Sequence, residues 1–566
     1  MYPHPLDSDW NPDLIKYPKY HHRAFIISAL NKPDWTTQAA DKSIVARWFR
    51  EAQERDNKYS VFRVLHYRTW NESDIKYAWQ ELSNCRKYVE FLRSEGCKVE
   101  PDIRGIWKAD GMIGEELRGE FVEGLLTFWC SERWELVLNK QITATSALER
   151  IQKNRITTSD KFGGLDSPYP DYEHRNVVQL INPSLWPVIY RKTRNIADAE
   201  PIELPVELLR TRGTKSLWQR YSNEFCCLPT EFEVSADGKQ TKVLSYINNL
   251  PQADEQKLGL RRILGEVFTC FVPLFNHVLA DLSRPQPKGA PAMELLEFIP
   301  TAEYLQKWKE ALDRFEHGED SNPDIFDYME EHCMNHVQCR EKKKKCKKVC
   351  HVERLDRWDI WTPPPMPEML RLEGRKLKVF VEVSKINLSP ETDLEYRQGD
   401  WRTSARLNER IVATGVYCIE QENITEVQVE FKMSFLHNLS GIPIKEHRAI
   451  AFPNVLEYRT QPFKLIDRHR PGHLKMLKFY LCDPTDPYEI PTTTTVAPQQ
   501  EEELKLWLVD QLRQGKMGRL PEELFEQIVE EIVQVMEPGV TAQAAEKYSS
   551  RAQFSKIDNI PCHDLF

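Results

Sequence analysis

Leu377-Lys378-Val379-Phe380-Val381-Glu382-Val383 is the stretch that decides the fold. Leucine and valine at every second position, with Lys378, Phe380 and Glu382 between them, set the two-residue period of a strand with one apolar face. Working outward, Ile411 to Ile419, Val427 to Phe435, Ala449 to Phe452 and Met476 to Leu481 repeat this signature at ordinary strand lengths. Short antiparallel strands in such number close as a sandwich, jelly roll or barrel. The expectation is an α+β protein with a jelly-roll-like core over residues 368–488.

Upstream the period changes. After Ser73, a candidate N-cap, Ile75, Trp79, Leu82, Cys85, Val89 and Leu92 recur at three- and four-residue steps and predict an amphipathic helix. Ser43 to Arg50 and Gly114 to Trp134 carry similar stripes, so residues 1–165 are expected to be mainly helical. Residues 166–299 read as the first part of the β-rich core with a long helix. There Thr230 to Val234, Asp237-Gly238 and Thr241 to Ile247 predict a hairpin, because Asp-Gly supplies the positive φ of a tight turn. Gln256 to Ala280 reads as the helix, with Pro273 expected to kink or interrupt it. Residues 300–367 read as an insertion ending in Pro363-Pro364-Pro365-Met366-Pro367. Thr492 to Thr495 and Pro498 read as a linker, followed by a helical tail over residues 501–566.

A chain of 566 residues exceeds one ordinary hydrophobic core, and 41% hydrophobic with 29% charged residues is a globular composition. The net charge of −9 lacks the basic stripe of a nucleic-acid-binding surface. Thirteen cysteines in irregular spacing, and no apolar leader after Met1, predict an intracellular, cytoplasmic protein with reduced thiols. No sequence run spans a bilayer, so no membrane segment is expected.

The insertion holds Cys333, Cys339, Cys346 and Cys350 with His332, His336 and His351. These are soft ligands suited to zinc, yet no Cys-x₂-Cys pair is present, and a solvated lysine-rich helix with incidental cysteines accounts for the same residues. Lys342 to Lys348 reads either as a nuclear-import signal or as a solvated face.

Seven further stretches carry a resemblance. They are Lys32-Pro33-Asp34-Trp35, Asn182 to Pro187, Ser245 to Leu250, Leu407 to Thr414, Glu422 to Glu426, Ala451-Phe452-Pro453-Asn454 and Pro471-Gly472-His473. In these the chain resembles the fungal family named domain of unknown function 4246. The family's pattern is similar to the double-stranded β-helix of Fe(II)/2-oxoglutarate oxygenases, and implies that fold. Where such members read Trp-His-x-Glu-Gly, this chain has Trp401-Arg402-Thr403-Ser404-Ala405; where they read Gln-His, it has Glu457-Tyr458. A basic residue implied for the co-substrate carboxylate corresponds to Leu474, with Lys475 next to it.

Chemistry limits what those substitutions allow. Arginine offers donors only, so Arg402 binds no cation. Ser404 is a poor carboxylate substitute, and Tyr458 ligates iron only as phenolate. The expectation is a ligand-depleted relative of non-haem iron oxygenases that binds a small molecule or a protein partner, with no cofactor. Its candidate pocket residues are Tyr246, Asn248, Asn249, Arg402, Ser404, Asn408, Glu409, Tyr458, His473 and Lys475. One alternative is an active oxidoreductase or metal-independent enzyme of fungal metabolism that recruits His473, His447 or Tyr458, with Fe(II) and 2-oxoglutarate as cofactors if ligands come from elsewhere. A scaffold acting through its terminal helices is the other.

Overall fold

The computed structural model describes residues 20–58, 72–94, 96–102, 105–129, 177–205, 222–250, 259–283, 371–391, 393–397, 401, 408–432, 438–486, 490–514, 521–536, 544–545 and 547–549. The chain divides into two compact units. The smaller comprises residues 11–90 and 285–363. Its described part contains α1 (Tyr20–Leu30), α2 (Trp35–Gln38), α3 (Lys42–Lys58) and most of α4 (Glu72–Ser94). Phe25 of α1 stacks on Phe49 of α3 at 4.1 Å between ring centroids, which fixes that helix pair.

The larger unit comprises residues 1–10, 91–284 and 364–566. It opens with β1 (Glu100–Pro101), β2 (Trp107–Asp110) and α5 (Glu115–Trp129), so two strands emerge within the stretch read as mainly helical. Next come β3 (Val177–Ile181), β4 (Val188–Ile189), β5 (Phe225–Cys226), β6 (Thr230–Val234) and β7 (Thr241–Val243). The expected hairpin joins β6 to β7, with Gly238 at φ +68° in its turn. Helix α6 spans Leu260–Ser283. The remaining strands are β8 (Lys376–Leu388), β9 (Glu395–Tyr396), β10 (Ile411–Glu422), β11 (Val427–Lys432), β12 (Asn438–Ile444), β13 (Arg448–Pro453), β14 (Glu457–Thr460), β15 (Phe463–Lys464) and β16 (Gly472–Cys482). Helices α7 (Glu501–Gln514) and α8 (Glu522–Met536) follow, packing Leu504 and Leu508 against Phe525 and Val529.

The architecture is a mixture of helix and antiparallel sheet. The principal sheet runs β1-β2-β13-β10-β16-β8-β6-β7, with β3 also paired to β8. A three-stranded sheet, β12-β11-β14, and the pair β15-β9 complete the β region. Consecutive strands alternate between these groups: β8, β10, β13 and β16 lie in the principal sheet, while β9, β11, β12, β14 and β15 do not.

One face of the principal sheet is covered by α6. Phe479 of β16 meets the rings of Phe268 and Phe271 at 5.2 and 5.3 Å. The helix approaches so closely that a Cβ on Gly415 would lie 2.7 Å from the Phe271 ring. Pro273 lies inside this helix without interrupting it. Losing one backbone hydrogen bond and clashing with the preceding turn costs about 3 kcal/mol. Burial of Val267, Phe268, Phe271, Val272, Leu274 and Phe275 offsets that, at roughly 1.5–3 kcal/mol for each large side chain. Among the described residues α6 is the one helix long and apolar enough to cross a bilayer, and it is mostly buried within the unit.

The threonine run expected to be a linker is packed. Thr492 and Thr493 are both 1% exposed, Thr492 and Thr494 hydroxyls each donate to Glu231 Oε1 at 2.7 Å, and Ser245 Oγ donates to the Thr493 carbonyl. A run of β-branched hydroxyl side chains makes as good a strap as it does a linker when an acceptor such as Glu231 lies opposite.

Candidate functional site

The face of the principal sheet away from α6 looks onto the three-stranded sheet. Phe452 of β13 meets Phe431 of β11 at 4.8 Å and Tyr458 of β14 at 5.0 Å, both edge-on, so these rings close the space between the sheets. Alternation along β16 places Lys478 and Tyr480 on this inner face, since their neighbour Phe479 meets α6. Across β8, Glu382 pairs directly with Lys478.

These residues form one buried polar network. Lys478 Nζ donates to Glu382 Oε1 at 2.8 Å, and the Tyr480 hydroxyl donates to Glu382 Oε2 at 2.8 Å. Tyr458 joins it through a hydrogen bond with Tyr480. Burial, and then the negative charge of Glu382, push the Tyr480 phenol well above its ordinary range. Thr414 of β10 stands opposite Tyr480 in the register, fully buried, and its Oγ1 has no hydrogen-bond partner. Glu382, Lys478 and Tyr480 went unremarked in the sequence because a strand with one apolar face normally turns its charged residues to water.

Trp401 lies beside β14: the Arg459 guanidinium sits 4.1 Å from its ring centroid while donating to Glu430 at 2.6 Å. Trp401 thus lies on the side of β14 that Arg459 presents, the side opposite Tyr458. Arg402 and Ser404 lie outside the described residues, as do Cys333, Cys339, Cys346, Cys350 and the run Lys342 to Lys348.

His473 and Lys475 fall on the opposite side of β16 from Leu474. Lys475 donates to Glu420 of β10, and His473 Nε2 lies 3.0 Å from the same carboxylate. Burial alone would raise Glu420, but hydrogen bonds and charge from Lys475 and His473 outweigh it and hold the carboxyl below its ordinary value. Burial, helped by Lys385 and Lys475, lowers the His473 imidazole despite the Glu420 contact. Lys475 therefore does not share the inner space with Tyr458, which corrects its placement, and that of His473, in one pocket. Leu474 is fully buried on the inner side. His447 stands elsewhere, its Nδ1 3.6 Å from Glu115. The three residues that an enzyme of recruited side chains would use thus point to three different surroundings.

The remaining candidates are mostly structural pegs. Tyr246 donates to the Val496 carbonyl at 2.8 Å, and Asn248 Nδ2 donates to the Leu185 carbonyl at 2.8 Å. Asn249 occupies a left-handed conformation at φ 65°, which asparagine tolerates better than most residues. Asn408 Nδ2 donates to the Tyr190 hydroxyl at 3.0 Å and to the Ser222 carbonyl at 2.8 Å. Glu409 is 1% exposed, and its Oε1 has no hydrogen-bond partner.

An iron site of the usual kind needs two imidazoles and a carboxylate on one face of the metal. Tyr458 is a buried phenol against Phe452 and Leu474 carries no charge, so these two described residues supply neither an imidazole nor a cation for a co-substrate. Among the described residues no cluster of three or more His, Cys, Asp or Glu side chains could hold a metal.

The chain matches the family described as "Protein of unknown function (DUF4246)" over residues 72–440 and 434–506. It belongs to that family. No curated protein matches this DUF4246 member. Solved structures similar to it include the Fe(II)/(alpha)ketoglutarate-dependent dioxygenase TqaL, at 10% identity, 62% coverage of this chain, 93% of that chain and a TM-score of 0.20. IDO from Bacillus thuringiensis is 7% identical, covering 20% of this chain and 48% of that one, with a TM-score of 0.16. A Pseudomonas putida prolyl-4-hydroxylase is 13% identical, covering 18% and 52%, with a TM-score of 0.13. The DUF4246 chain thus spans about half the length of IDO and of the hydroxylase.

Proposed function

We propose that this DUF4246 protein binds a small molecule between the two sheets of a jelly-roll or double-stranded β-helix core, without the iron- and 2-oxoglutarate-dependent turnover associated with that fold. The strand order supports the fold reading. A chain winding through a double-stranded β-helix alternates between two facing sheets, as β8 through β16 do here.

The single observation that carries the functional reading is the engagement of Tyr458. A phenol hydrogen-bonded to Tyr480, which itself donates to Glu382, supports a hydrogen-bonding wall over a metal ligand. Leu474 on the same inner side removes the charge that would hold a dicarboxylate co-substrate. Arg402 and Ser404 add the same point from sequence alone. What the interior offers instead is a polar cluster of Glu382, Lys478, Tyr480, Tyr458 and Thr414 within apolar walls, the usual composition of a small-molecule site. A protein of this kind fits an intracellular, cytoplasmic setting.

The test is calorimetry of the purified full chain with Fe(II) under anaerobic conditions, paired with an assay for 2-oxoglutarate decarboxylation. Neither stoichiometric binding nor turnover is expected. Stoichiometric Fe(II) binding together with decarboxylation would overturn the proposal.

A further inference from the structure

Glu409 is an anomaly of charge. It immediately precedes β10, is 1% exposed, and its Oε1 receives no hydrogen bond. A buried carboxylate without a donor is among the costliest arrangements in a protein interior, and such groups are normally paired or bound to something. The groups acting on the nearby Cys482 thiol include Lys378 on one side and Glu409, Asp486 and Asp483 on the other. Arg410 is bound to Asp486, with both side chains under 10% exposed. Among the described residues Glu409 Oε1 stays an open acceptor.

The walls are aromatic. The charge of Glu409 reaches Tyr190, whose hydroxyl accepts from Asn408. Phe225, Ile411, Cys482 and Tyr480 form one buried cluster at this end of the sheet. Tyr480 belongs both to this cluster and to the inner polar network. A chelated divalent ion does not suit the place, since no three acidic, histidine or cysteine side chains gather there among the described residues. A single positive charge carrying N–H donors suits it well: the ammonium pairs with a carboxylate, and its alkyl stem lies against ring faces.

We propose that the end of the core beneath Asn408 and Glu409 is an amine-binding subsite, in which Glu409 accepts hydrogen bonds from a primary ammonium group of the bound molecule. This rests on the reading of the core as a small-molecule site, and it names the ligand class as amine-bearing.

Three isosteric probes separate the possibilities in the full-length chain: n-butylammonium, n-butanol and butanoate, each titrated by calorimetry and by thermal shift. Butylammonium is expected to bind saturably and to raise the melting temperature, with affinity lost at least tenfold in Glu409→Gln and partly kept in Glu409→Asp. Unliganded Glu409→Gln should be at least as stable as the parent, because it removes a buried carboxylate whose Oε1 no hydrogen bond supports; that measurement also shows that the variant folds. Equal binding of butylammonium by Glu409→Gln, or equal binding of all three probes, overturns the amine assignment. If butanol or butanoate binds with sensitivity to Tyr480→Phe while the amine does not, the amine assignment fails and the small-molecule reading stands. If no probe binds and iron-dependent turnover is measured, both fail.

Discussion

The Tyr480 hydroxyl reaches diagonally across the β8–β16 pair to donate to Glu382 at 2.8 Å, on the carboxylate oxygen that Lys478 does not use. Glu382 therefore has each oxygen matched to one donor, which is what makes an ion pair tolerable under cover. Glu382→Ala should destabilise the protein by about 3–5 kcal/mol, because it strands the Lys478 ammonium in the interior. Glu382→Leu combined with Lys478→Met should recover most of that loss. Urea unfolding of the single and double variants measures both, and additive losses would argue against the pair acting as a unit.

Tyr458→Phe should cost about 1 kcal/mol, the worth of one hydrogen bond, while keeping the ring contact with Phe452. A loss several times larger in the same unfolding experiment would mean that the hydroxyl has a further structural role.

Gly415→Ala should cost about 1–3 kcal/mol, because the added methyl meets Phe271 at 2.7 Å beneath α6. Combining it with Phe271→Leu should give back part of the loss. No recovery in thermal denaturation would mean that the backbone of β10 is the obstacle instead of the ring.

Acid should weaken the protein in two steps at the β10–β16 edge. His473 has a folded pKa below its ordinary 6.5, so the unfolded chain takes up the proton first and stability falls as the pH drops below about 6.5. Glu420 has a folded pKa below its ordinary 4.5, so its contribution is present above that value and is lost as pH falls through the folded pKa. His473→Gln should flatten the upper part of the stability–pH curve and Glu420→Gln the lower part. Denaturant midpoints from pH 7 to pH 4 provide the check; a parent curve without slope in this range would exclude both.

The strands were legible because local alternation is enough to mark them: the valines at 379, 381 and 383 all lie in β8 and are buried. The hairpin at Asp237-Gly238 was legible because its turn chemistry is local. That the helix continues through Pro273 was not legible, because the local cost is outweighed by contacts with a sheet assembled from distant segments. Glu382 was invisible as a site residue for a related reason. Its partners lie 96 and 98 positions away, and only the second sheet turns that side of β8 into an interior. Trp401 lies against Arg459, the residue after Tyr458 on β14. The resemblance did not separate Leu474 from Lys475, which needs the strand's alternation seen in three dimensions.

Strand β16 lies between β10 and β8, and its two sides serve incompatible surroundings: Phe479 meets aromatic rings beneath α6, while Lys478 and Tyr480 meet a carboxylate. A slip of one residue would send the ammonium among phenylalanines and a phenyl ring against Glu382, so every alternative pairing is penalised at several positions together. The polar network thereby acts as a key for strand alignment, independent of any ligand. A single inserted residue between Leu477 and Leu481 should abolish soluble yield, whereas one in the exposed turn at Arg468 to Arg470 should be absorbed without moving the strand.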